Sequence, residues 1–378
     1  MLKRRPTLQC DDPGLIKVCD HIYISSSFPA GDENVLKNEG ITHILNLGGV
    51  NRNYSSSFKI LRILINDNAE SDILSITPVT NLFISLAISE GNILVHCRQG
   101  YSRSPAVIIA YLISQLDYTY DDAVGCIRNV CRVELNSGFN AQLLSYGLHK
   151  GNEFQAEEDY RSNHFKTFFD TFSEEIEAVE DPLEMCLPQI SYISSHGTTT
   201  IINLMSSFVR PFYCKKCKTI LIMRNRFCVH GWDYSHDFNL SKRILSVIKE
   251  SSESLEDGFV AENVSEEASN TVDSVMSCLD DVVQTPLSNI QRQQIRRILL
   301  QYVMRCKEWG DFRGLEGGCN CCADCCGWIR QQLRCTPGEL KCPGGCNSIV
   351  GSFLLEPFTC SCGKKLRAKV VFDWNAFL

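Results

Sequence analysis

The sequence predicts an α/β sheet flanked by helices, followed by a small β-rich domain dense in cysteine. Two observations carry this. Through residue 150, short apolar strands alternate with helical patterns, the arrangement of a largely parallel sheet with its site at a strand's C-terminal end. From Cys214 onward, cysteines gather in C-x-x-C-like groups, whereas before it they stand singly. A chain of 378 residues suits two domains with linkers better than one core. The expected division is an N-terminal extension over 1–20, an α/β domain over 21–150, and an acidic helical or linker segment over 151–210. A cysteine-rich domain over 211–378 follows, with an acidic, disordered insertion at about 250–288.

Taken in order, residues 21–25 (HIYIS) alternate like a short strand, and 31–39 read as a short helix closed by Gly40. Strands follow at 41–47, ending at Gly48-Gly49, and at 59–65, which leads into the polar loop 66–72. A helix over 77–89 stops at Gly91, and an apolar strand then runs into His96. Helices are expected over 104–116, 120–133 and 138–149. Phe165, Phe168, Phe169 and Phe172 fall at helical spacing inside the acidic stretch, as a tail of the core would. A last helix is expected over 290–306, where Ile295, Ile298, Leu299, Tyr302 and Val303 share a stripe beside Arg292, Arg296 and Arg297.

The stretch 93–104, ILVHCRQGYSRS, carries the chemistry: a buried strand, a tight loop from Cys97 to Arg103, and a helix that begins at Ser104-Pro105. Arg98, Gln99, Gly100, Tyr101 and Ser102 lie between one thiol and one guanidinium, so the loop can curl with its N–H groups inward. That makes an anion nest at a helix N-terminus, suited to a phosphate-sized dianion. Arg103 adds a fork that matches two phosphate oxygens. Cysteines at helix ends beside cations ionise readily, and an ionised thiol facing phosphorus is a nucleophile. The spacing alone is not specific, because Cys126 and Arg132 share it. That second pair has no glycine and falls in a helical pattern; an apolar strand, Gly100 and Pro105 distinguish the first.

Transfer of a phosphoryl group to a thiol expels an oxyanion, so a carboxylic acid should stand near the leaving oxygen. The loop before residue 77 offers Asp67 and Asp72, and Asp72 also sits where the next helix wants an acidic cap.

Charge is uneven. The total is −7, but residues 152–185 carry −9 and residues 250–281 carry −10, leaving +12 elsewhere. The folded parts are therefore basic and suited to anionic partners. The N-terminus lacks an apolar h-region and no later stretch has 18 uncharged apolar residues, so neither secretion nor a membrane span is expected. The expected setting is reducing, cytoplasmic and/or nuclear, where cysteine clusters hold metal rather than disulfides.

Tetrahedral zinc takes four N or S ligands, and a C-x-x-C turn supplies two. Cys214 and Cys217 fit one such half-site. Cys342 and Cys346, with Cys360 and Cys362, offer four thiolates across a hairpin whose strand is 350–355.

HCRQGYSRS resembles the signature loop of cysteine-dependent protein phosphatases, and its SRS ending resembles the dual-specificity branch. The resemblance implies Cys97 as nucleophile, Arg103 as phosphate clamp, Ser104 as the hydroxyl that stabilises the departing thiolate, and His96 as a tuner of the thiolate from behind. LINDNAESDIL resembles the family's acid loop, with Asp67 at the general-acid position. LNSGFNAQLLSY matches a further pattern of the family, in which Asn136 caps the last helix and braces the signature loop while Gln142 faces inward. FYCKKC, LKCPGGCNSIVGSF and TCSCGK after such a domain resemble the YVH1-type dual-specificity phosphatases with a C-terminal two-zinc domain. The family pattern then points to His230, with Cys228 as rival, and to Cys319 as partners of Cys214 and Cys217. The Cys342–Cys346 knuckle is one residue longer than the family's. The implied function is hydrolysis of phosphotyrosine and phosphoserine/phosphothreonine in a phosphoprotein substrate through a phosphocysteine, with zinc structural and no cofactor in catalysis. The alternative is a ribosome assembly factor that joins pre-60S particles through its zinc domain. Direct DNA binding is not expected.

Overall fold

The computed structural model describes residues 14–48, 54–55, 57–69, 71–171, 188–194, 196–202, 211–223, 227–228, 239–249, 265–283, 285–310, 322–323, 328–329, 332, 338–354, 358–359, 365–366 and 369–377. The chain forms two compact units. One comprises Met1–Ala156, Cys186–Met205 and Asp237–Met304, the other Glu157–Met185, Ser206–His236 and Arg305–Leu378.

The first unit is built on a seven-stranded sheet. Its strands are β1 (Ile16–Cys19), β2 (Ile22–Ser25), β3 (Ile41–Leu47), β4 (Lys59–Leu64), β5 (Asn92–His96), β6 (Gln189–Ile193) and β7 (Thr199–Ile201), in the order β1-β2-β5-β3-β4-β6-β7. The central four are parallel, and β3 and β5 are almost wholly buried, as parallel strands covered on both faces must be. Side chains alternate between two apolar layers. Ile44, Ile60 and Leu94 pack with Leu36 of α1 (Glu33–Asn38), while Leu61 lines a small apolar cavity together with Val79, Leu82 and Phe83 of α2 (Thr77–Glu90). Helices α3 (Arg103–Leu116), α4 (Tyr120–Arg128), α5 (Ser137–Leu148) and α6 (Glu153–Thr171) follow, and α3 packs on both α2 and α5. Local chemistry starts them: Asp32 caps α1, Thr119 caps α4 and Asn136 caps α5. The register Asn46↔His96 and Ser25↔His96 brings three strand ends level, so the segment after His96 emerges at the C-terminal edge of the sheet.

Three features differ from expectation. Strand β1 lies inside the supposed N-terminal extension and pairs antiparallel with β2. Strands β6 and β7 lie inside the supposed linker, and β6 joins the sheet by antiparallel pairing with β4. Their buried Ile190 and Tyr192 are too few to stand out beside so much acid.

Disorder across 250–288 is corrected for its second half. Residues 266–282 form α8 (Glu266–Val282), between α7 (Leu240–Lys249) and α9 (Asn289–Gly310). Val272, Val275, Leu279 and Val282 are buried on one stripe, and Val275, Cys278 and Leu279 line a small apolar cavity of about 40 Å³ with Val79, Phe83 and Tyr192. The acidic residues lie outside that stripe: Asp280 pairs with Arg292 at 2.6 Å, Asp273 with Arg296, and Asp281 accepts from Tyr192. Lys59 holds the helix end by donating to Val282 O at 3.0 Å while pairing with Glu90 at 2.9 Å.

The second unit contains a hairpin of β8 (Pro211–Tyr213) and β9 (Ile220–Met223). It also has two-residue pairs β10 (Phe227–Cys228) with β11 (Cys322–Ala323), and β14 (Phe358–Thr359) with β15 (Lys365–Leu366). Strands β12 (Glu339–Lys341), β13 (Ile349–Leu354) and β16 (Lys369–Phe372) form an antiparallel sheet. Phe212, Leu221, Trp328, Leu340, Val350 and Phe372 make its core. Among the described residues no helix is long and apolar enough to cross a membrane.

Candidate active site

Cys97 follows β5 directly and is 1% exposed. Its Sγ accepts from Gly100 N–H and from the Ser104 hydroxyl, each at 3.2 Å. The loop can fold so tightly only because Gly100 has φ +85°, and a Cβ there would lie 2.9 Å from Ser25 O. Ser27 closes the other side, its N–H donating to Arg98 O at 3.2 Å. Behind the loop, buried His96 lies 3.3 Å from Tyr54 Oη through Nε2. Arg98 and Gln99 are exposed, Tyr101 is half-buried and Ser102 is buried. Tyr101 stacks against the Arg132 guanidinium, 5.1 Å from the ring centroid.

Arg103 opens α3. Its Nη1 donates to Ile65 O at 3.2 Å and to Gly48 O at 3.5 Å, which leaves the Nε and Nη2 edge to grip an anion. Gly48 is required here: at φ +70° a Cβ would lie 2.7 Å from Nη1.

Asp67 stands on the rim of the same seat, with Oδ2 3.5 Å from Arg103 Nε. Its Oδ1 accepts from Ser102 Oγ at 2.6 Å and from Asn136 Nδ2 at 3.0 Å. Asn136 therefore braces the acid loop, where the sequence pointed to the signature loop; it caps α5 as expected, accepting from Phe139 N–H at 2.9 Å. Buried Gln142 grips the same loop, accepting from Ile73 N–H at 2.8 Å and donating to Ser71 O at 2.9 Å. Asp72 is a structural cap, accepting from Ser75 N–H at 2.9 Å. The arrangement joins a thiol with two converging donors, a fork for phosphate oxygens and a carboxyl group at the rim. Such a set can perform nucleophilic displacement at phosphorus.

In the second unit, Cys214, Cys217, Cys342 and Cys346 bring their Sγ atoms within 4.8 Å of one another. Cys214–Cys346 at 3.7 Å and Cys217–Cys342 at 3.4 Å are far too long for disulfides. This corrects the expected grouping: Cys342 and Cys346 partner Cys214 and Cys217. His230, Cys319, Cys360 and Cys362 lie outside the described residues. The regrouping follows from strand pairing, since each half-site is the turn of a different hairpin, β8–β9 and β12–β13. Gly344, in the lengthened knuckle, accounts for the close approach, because a Cβ there would lie 2.1 Å from Thr219 Oγ1 and 3.0 Å from Cys217 Sγ. Hydrogen bonding with Thr219 pulls the Cys217 thiol below its usual range, and hydrogen bonding with Ser348 brings Cys346 down to about 6. Four thiols this close fit a metal such as zinc.

Among curated proteins the chain is 37% identical over 147 residues to a protein-tyrosine-phosphatase MKP1 of Arabidopsis thaliana, covering 38% of this chain and 19% of the relative. It is 34% identical over 135 residues to dual specificity protein phosphatase 19 of Mus musculus, covering 34% of this chain and 60% of the relative. The chain thus spans less than two thirds of the length of either. Among solved structures, the Yvh1 phosphatase domain of Chaetomium thermophilum is 26% identical with a TM-score of 0.31, covering 35% of this chain and 95% of that one. Residues 22–148, which hold every side chain of the phosphate seat, match the family described as "Dual specificity phosphatase, catalytic domain".

Proposed function

We propose that this chain is a dual-specificity protein phosphatase that works through a phosphocysteine. The observation that carries the reading is the convergence of Gly100 N–H and Ser104 O–H on Cys97 Sγ, with Asp67 and Arg103 at one seat beyond it. Arg103 and the loop 98–102 hold the phosphoryl group. The Cys97 sulfur attacks phosphorus, the P–O bond to the side chain breaks, and Asp67 gives its proton to the leaving oxygen. Water then attacks the phosphocysteine, Asp67 takes a proton from it, and the P–S bond breaks as Ser104 donates to the departing thiolate. His96 supports the sulfur from behind. Arg98 is the only basic residue between Cys97 and Arg103, which favours phosphoprotein over polyphosphorylated lipid substrates. The test is hydrolysis of p-nitrophenyl phosphate by the wild type and by Cys97→Ser: the variant loses turnover, and undiminished turnover refutes the assignment.

The four-cysteine cluster would hold zinc as a structural ion that ties two hairpins together, outside the chemistry of the phosphate seat. Together with the phosphatase domain it supports a YVH1-type organisation in a cytoplasmic and/or nuclear protein. A second reading, assembly of pre-60S ribosomal particles, draws support from the exposed Lys215, Lys216, Lys218 and Lys341 in and beside the two knuckles. Cofractionation with those particles that survives Cys97→Ser but not charge reversal of the four lysines would favour it; association unchanged by the reversal rejects it.

A further inference from the structure

We propose that Asn136 and Ser102 fix which oxygen of Asp67 carries the transferable proton, reserving Oδ2 for it; this rests on the phosphatase reading above. Two hydrogen bonds end on the other oxygen, Oδ1, from Ser102 Oγ at 2.6 Å and Asn136 Nδ2 at 3.0 Å. The orientation of the Asn136 amide is not free. Its oxygen accepts from Phe139 N–H at 2.9 Å as the cap of α5, so the group facing Asp67 is the NH₂, which only donates. A proton on Oδ1 would point at the Asn136 NH₂, which can only donate, whereas the neighbour of Oδ2 is Arg103 Nε at 3.5 Å, part of the edge that turns to the phosphate once it is bound.

Ser102 supplies an independent sign. It occupies the N-cap position of α3, where serine ordinarily bonds the first turn, yet its hydroxyl makes no cap bond and turns to Asp67 instead. The residue type at 136 is informative as well. Asp caps helices as well as Asn does, and Ser nearly so, but neither can accept from Phe139 N–H through one side-chain atom while another donates an amide N–H to Asp67. Asn136 is thus a positioning residue: it aims the acid without touching substrate.

Asn136→Asp separates the two duties, since it keeps the cap and puts a carboxylate where the amide donor was. The assay compares kcat/KM, which reports the steps up to departure of the leaving group, on phenyl phosphate, whose leaving oxygen needs a proton, and on p-nitrophenyl phosphate, whose leaving group needs little help. The expected result is an unchanged melting temperature and a loss on phenyl phosphate about tenfold larger than on p-nitrophenyl phosphate, part of the 10²–10⁴-fold that general acids typically supply. In the Asp67→Asn background the same change should add nothing, because the acid it aims is gone. If Asn136→Asp does not fold, Asn136→Ser serves, as it keeps a cap and removes the amide donor. Equal losses on both substrates, or no loss on either, overturn the proposal. Full turnover by Cys97→Ser in the same series would instead overturn the phosphatase reading.

Discussion

Replacing Gly138 by Ala separates the placement of the acid loop from the chemistry of its acid. Gly138 is buried in the first turn of α5, and a Cβ there would lie 2.0 Å from Ala69 O, 2.6 Å from its carbonyl carbon and 2.7 Å from its Cα. All three are backbone atoms two residues past Asp67, so no side chain can swing aside. The loop must retreat by about 1 Å, and a misplacement of that size can cost roughly 100-fold in rate. Stability changes far less: alanine favours the helix by about 0.5–1 kcal/mol, against an overpacking cost of about 1–3 kcal/mol. Steady-state kcat on phenyl phosphate should therefore fall about 100-fold, with a smaller fall on p-nitrophenyl phosphate, while thermal melting still shows a folded protein. A folded Gly138→Ala variant with wild-type kcat on phenyl phosphate would refute the claim that α5 sets the position of Asp67.

Two further outcomes are expected. Burial and, next, the Lys59 charge hold His43 down to about 3 from its usual 6.5, so the unfolded chain binds a proton that the folded one refuses. Stability from this residue is complete above about pH 6.5 and declines as pH falls toward 3; melts from pH 4.5 to 7.5 should show the slope, and His43→Asn should flatten it. For the metal cluster, Cys214→Ser and Cys342→Ser should each release the same bound zinc, measured by elemental analysis, and the double variant no more. Additive losses would mean that the two cysteines serve different ions.

What was legible in the sequence is local. The strand into Cys97, Gly100, Arg103 and the helix after it are consecutive, and their spacing already implies the loop. Asp67 needed the resemblance; its rival Asp72, expected to cap the helix over 77–89, instead accepts from Ser75 N–H in the short turn just before that helix. Gln142 faces inward as its pattern suggested, yet its grip on Ser71 and Ile73 was not visible, because those residues lie about 70 positions away. Helix α8 carried a readable stripe through Val272, Val275, Leu279 and Val282, but ten acidic residues across 250–281 outweighed it in composition. Its acids find Arg292 and Arg296 only once α9 folds beside it. The pairing of cysteine half-sites is likewise tertiary. Each knuckle announces two ligands, and nearness in sequence suggested Cys360 and Cys362 for Cys342, whereas hairpin packing brings Cys214 and Cys217 from more than a hundred residues away.

The proposed chemistry stands on a covalent phosphoryl group at Cys97. Ser104→Ala removes the hydroxyl that donates to Sγ at 3.2 Å and should slow breakdown of the intermediate more than its formation, so phosphoenzyme accumulates. Rapid quenching of that variant during turnover of a phosphotyrosine peptide, followed by peptide mass spectrometry, reads the site directly. The prediction is phosphate on the peptide containing Cys97 and on no other. Phosphate on another residue, or steady turnover with no phosphoenzyme and undiminished activity in Cys97→Ser, would contradict it.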